Sequence, residues 1–135
     1  MALKVRPKAF GPVYALFDGS DGIRYSLASL EHTSQHPPSD TPVDTLLASL
    51  AACIIKSVQW SAGQQKAPLN PFSVKVSAVK APELPGRIES MEIAVLGQPV
   101  DDPVLVPAIV AQAKSACTIS NSLNCKVSVV ICEPD

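Results

Sequence analysis

TPVDTLLASLAACIIKS, residues 41–57, is the stretch on which the fold turns. Val43, Leu46, Leu47, Leu50 and Ile54 recur at steps of three and four, and Val58 continues the series. This spacing predicts a helix running to about Ala62. Thr41 or Asp40 can cap its start, and Pro42 suits the first helical turn. Ala48, Ala51, Ala52 and Cys53 fill much of the remainder. A helix apolar almost all round is a buried helix, and its small residues let other elements approach closely. The expectation is a central helix clamped on more than one side. Cys53 lies in its middle, where a free thiol can be simple packing, since cysteine behaves as a small hydrophobe, or chemistry.

Upstream, residues 3–17 are rich in valine, alanine, phenylalanine and tyrosine, with Gly11 and Pro12 between two short runs. Two Asp–Gly turn signals around residues 18–22 then read as a hairpin into a strand near residues 22–29. Residues 31–40 form a polar loop that holds both histidines, His32 and His36. Downstream, Val74, Val76 and Ala78 alternate with Ser73, Lys75 and Ser77 as a half-solvated strand. PELPG turns the chain, and Ile88, Met91, Ile93 and Val95 mark a second strand whose alternation slips once, the signature of a bulge. These two strands read as an antiparallel hairpin. Residues 101–116 begin with two aspartates as capping residues and become a second amphipathic helix, with Pro107 in its first turn or at a kink. NCKVSVVICE, residues 124–133, is the last strand. The order strands, buried helix, strands, helix, strand is that of an α+β fold with an antiparallel sheet.

A chain of 135 residues, 47% of them hydrophobic, suits one domain, residues 1–135, with one core. Aromatic residues are 4% of it, so the core must be aliphatic. The formal net charge is −1 and no block of lysines or arginines stands out, which argues against nucleic-acid binding and electrostatic membrane binding. The longest apolar run falls short of the roughly 20 residues that span a bilayer. The basic N-terminus is not followed by the apolar segment of a secretory signal. These features point to the cytoplasm.

In that compartment a disulfide is usually catalytic or redox-sensing rather than structural. Cys117 follows the second helix and can open a new helical turn, where the positive end of the helix dipole lowers a thiol pKa. Cys125 and Cys132 share the last strand at an odd separation, so they lie on opposite faces and read as packing residues. Without a C-x-x-C pair, and with two histidines in one loop, zinc is a poor fit.

TPVDTLLASLAAC and AKSACTISNSL together resemble the two motifs of the OsmC/Ohr proteins, osmotically inducible protein C and the organic hydroperoxide resistance proteins. Element order and chain length are similar across nearly the whole chain. The resemblance implies an intertwined homodimer, with a long central helix on a curved sheet and active sites at the subunit interface. It implies a thiol peroxidase that reduces organic hydroperoxides, without a cofactor. Cys53 would be the attacking thiolate and Cys117 the thiol that resolves its sulfenic acid to a disulfide. An external dithiol, a lipoyl protein or small thiol, would reset the pair. The family's thiolate is supported by an arginine from the N-terminal strands, held by a glutamate ten residues before the cysteine. Here that position is Val43; Asp44 follows it, shorter by a methylene and turned by about 100°. Arg6 and Arg24 are the arginine candidates, and Thr118 stands where the family has proline. These departures keep a second reading open: a non-catalytic protein of the same fold that binds a hydrophobic small molecule or acts as a slow redox sensor. A different thiol or acyl-transfer enzyme would need His32 or His36 to fold over the thiol.

Overall fold

Thr41 opens the long helix, its Oγ1 accepting the Asp44 N–H at 3.1 Å, and Pro42 occupies the first turn, so helix α1 runs Pro42–Gln64. The computed structural model describes residues 8–20 and 22–132. Arg6, the start of the expected N-terminal run and Glu133 lie outside the described residues. Strand β1 spans Ala9–Phe17 and β2 Ile23–Leu27; between them Asp18 accepts hydrogen bonds from the Ser20 hydroxyl and N–H. After α1 come β3 (Phe72–Lys80), β4 (Ile88–Leu96), α2 (Leu105–Ala116), α3 (Thr118–Ser122) and β5 (Lys126–Cys132).

The five strands form one sheet in the order β2-β1-β3-β4-β5. The first four pair antiparallel, as alternation and turn signals predict. The last departs from the expected antiparallel sheet: β5 runs parallel to β4. The helices between β4 and β5 carry the chain back to the end from which β4 started, the crossover that parallel neighbours require. The slip in β4 is a bulge, since Val79 pairs with Ser90 but Lys80 pairs with Ile88, leaving Glu89 unmatched. Helix α2 starts later than the sequence suggests. Asp102 Oδ1 accepts the Val104 N–H at 3.0 Å in a turn ahead of the helix, so the acidic pair shapes its approach rather than its cap.

Alternation divides each strand between two faces. Val13, Ala15, Val74, Val76, Ala78, Met91, Ile93 and Val95 join Leu47, Leu50, Ile54, Ile55 and Val58 of α1 in one aliphatic core. Ile109, Val110 and Ala113 of α2 complete it. Behind the sheet, Tyr14, Ala94 and Leu96 form a smaller buried cluster with Leu16 and Cys132 at its edge. Cys125, expected in the last strand, lies in the bend just before β5 and packs against the main core instead. Helix α1 is covered by the sheet on one side and by α2 on another, where Ser61 donates to Gln112. A stripe comprising Thr45, Ser49, Lys56 and Trp60 stays open.

Gly11 sets how closely α1 lies on the sheet. Its φ is +84°, and a Cβ there would stand 2.8 Å from the Val76 carbonyl oxygen and 3.2 Å from Leu47 Cδ1. The register of β1 against β3 shifts at this point. Gly11→Ala is therefore expected to destabilise the fold by about 1–2 kcal/mol from backbone strain alone, with crowding adding to it. Urea unfolding checks this; a variant as stable as the wild type would remove Gly11 from this role.

Candidate active site

Helix geometry aligns Cys53 with the residues that follow it at three, four and seven positions. Lys56, Ser57 and Trp60 line a cleft of about 370 Å³ with Cys53, and Ala116 and Thr118 close its other side. Cys53 is half-buried, at the margin between the core and this cleft. Trp60, the only tryptophan, is 49% exposed.

Cys117 comes to the same place from 64 residues away, carried by the end of α2. It is the N-cap of α3, and its Sγ accepts the Ser120 N–H at 3.4 Å, as the expected new helical turn implies. The lowered pKa expected there does not follow. Cys117 is 0% exposed. Burial pushes its thiol up from 9.0 to about 11; the Ser120 N–H opposes the rise and the adjacent Cys53 side chain adds to it. Five residues make a short helix, and its dipole is weaker than the loss of water around the sulfur. The two thiols are near enough to interact, and both are free.

Of the other candidates, Arg24 and Asp44 lie apart from this pair. Arg24 is paired with Leu16 and so lies on the sheet face away from α1. Its Nε donates to Thr33 Oγ1 at 2.8 Å and its Nη2 to the Thr33 carbonyl at 3.0 Å. Asp44 is 8% exposed, in the first turn of α1. Nine helical residues put it ~13 Å along the axis and on the opposite side from Cys53. Arg6 lies outside the described residues. His32 and His36 are exposed in the loop after β2, and neither lines the cleft. Lys56 and Trp60 are additions to the residues that motif reading singles out; their spacing from Cys53 was the available signal. A larger hollow, about 630 Å³, lies against β3, β4 and β5, but neither cysteine of the pair lines it.

The raised pKa has a thermodynamic consequence. The folded state favours the protonated Cys117 thiol, so this group adds stability below pH 9.0 and loses that contribution as pH climbs through about 11. Under reducing conditions, the melting temperature of wild type is expected to fall more steeply over this window than that of Cys117→Ala. Parallel curves would contradict the assignment.

Residues 36–131 match the sequence family described as OsmC-like protein. No curated protein matches the chain. Among solved structures, an OsmC-like protein from Mycoplasma pneumoniae is similar, with a TM-score of 0.62 at 14% identity over 100% of both chains. The organic hydroperoxide resistance protein OhrB of Bacillus subtilis gives a TM-score of 0.58 at 14% identity, covering 95% of this chain and 98% of its own. An organic hydroperoxide resistance protein OsmC from Legionella pneumophila gives 0.56 at 16% identity over 100% of both chains. At these identities the solved structures speak for the shared fold. The sequence match extends over most of the chain, from the loop before α1 through β5, and on that ground the chain belongs to the OsmC-like family.

Proposed function

We propose that the protein is a thiol peroxidase that reduces organic hydroperoxides. The observation that carries this reading is the meeting of two free thiols from distant parts of the chain, one at an open cleft and one buried behind it. The Cys53 thiolate attacks the hydroxyl-bearing oxygen of the peroxide, the O–O bond breaks, and the alkoxide takes a proton to leave as an alcohol. Cys53 is then a sulfenic acid. The Cys117 thiol attacks its sulfur, a disulfide forms, and water departs. An external dithiol, a lipoyl protein or small thiol, supplies the two electrons that restore both thiols. Cys117, protonated at neutral pH, suits the second role and not the first.

In this reading Arg6 or Arg24 orients the peroxide, with Asp44, on the far side of α1 from the Cys53 of its own chain, as acidic partner across two chains. For Arg24 that requires release of Thr33 or a site built across two chains. A homodimer would cover the open stripe of α1 and bring further side chains over Cys53. The apolar surroundings favour an alkyl hydroperoxide, and the setting is cytoplasmic defence against oxidative stress.

Val43 at the glutamate's position and the bonds from Arg24 to Thr33 favour a second reading, a hydrophobic-ligand scaffold or slow redox sensor. Thiol titration before and after one equivalent of cumene hydroperoxide separates the two. The peroxidase is expected to lose two thiols rapidly, Cys117→Ser to yield a trappable sulfenic acid, and Cys53→Ser to show background consumption. Loss no faster than that of free cysteine would leave the scaffold reading standing.

A further inference from the structure

Cys53 has no help from the N-terminus of its own helix, which lies roughly 18 Å away along the axis. Its side chain packs at the edge of the aliphatic core. A cation beside the sulfur favours the thiolate that attacks a peroxide, and the described arginines are engaged elsewhere: Arg24 with Thr33, Arg87 with Glu83. Lys56 lines the cleft with Cys53, one helical turn along the same face, where side-chain origins are about 5–6 Å apart. It is exposed and makes no salt bridge among the described residues. Its long flexible stem lets a compact charge swing toward the sulfur or a bound peroxide.

The surroundings offer little competition. The faces of β1 and β3 turned to α1 carry Val13, Ala15, Val74 and Val76, none of which titrates. Strand β2 contributes Tyr25, whose pKa burial raises. The approach to α3 contributes Cys117, a protonated thiol at neutral pH. Lys114, in the last turn of α2, is half-buried and does not line the cleft.

We propose that Lys56 stabilises the Cys53 thiolate directly, a task separate from the arginine's orientation of the peroxide. This deepens the peroxidase reading, but its test does not need turnover. The pH dependence of Cys53 alkylation by iodoacetamide, followed by peptide mass in reduced protein, reads the thiolate directly. In Lys56→Met the midpoint is expected to rise by about one unit and the rate at pH 7 to fall roughly three- to tenfold. Lys56→Arg should restore the wild-type profile, and Lys80→Met, which removes the same charge at the far end of β3, should leave it unchanged. An unchanged midpoint in Lys56→Met overturns the proposal, even if the wild type consumes cumene hydroperoxide. A shifted midpoint in a protein that consumes none upholds Lys56 and discards the peroxidase reading.

Discussion

The close seating of α1 on β1 and β3 is the constraint from which the rest of the molecule follows. A mainly aliphatic core excludes water only if backbones come near one another. Gly11 permits this on the sheet side, and Ala48 and Ala51 permit it on the helix side. With the helix held there, α2 packs along its flank, and the turn after α2 delivers Cys117 to the middle of α1. The site is thus a by-product of core packing, built on rigid elements rather than on a loop.

Two opposite electrostatic demands meet at that site. Burial keeps Cys117 protonated, which suits a thiol that must wait for a partner to be oxidised. Cys53 lies at the edge of the same apolar environment, and the proposed chemistry asks for a negative sulfur there. The half-open cleft separates the two, since Cys53 is partly exposed along it beside Lys56 while Cys117 is buried. A difference in exposure between two adjacent thiols is enough to give them different tasks.

Much of this organisation is legible in the chain. The helix from Thr41 announces itself through its cap, its proline and its apolar period. The β3–β4 hairpin does so through alternation, and even the bulge at Glu89 shows as a missed step between Ile88 and Met91. Cys125 and Cys132 do take opposite settings, but Cys125 lies in the bend just before β5 rather than in the strand. Among site residues, the two cysteines are visible through their motifs, whereas Lys56 and Trp60 are easily passed over as the polar side of a helix. Arg24 reads as surface charge or as an interface residue, and its bonds to Thr33 are visible only in the structure.

What the sequence determined by itself are the features set by neighbours within a few residues: helix period and cap, strand alternation, the hairpin turns and the aliphatic character of the core. Tertiary structure alone decided the parallel pairing of β5 with β4, the approach of Cys117 to Cys53, and the pKa of Cys117. The physical reason is range. Capping and periodicity act through bonds and contacts a turn or a strand apart, whereas the meeting of the two thiols depends on a helical crossover whose path is set by packing. The pKa depends on how much water that packing removes, a quantity no local pattern encodes.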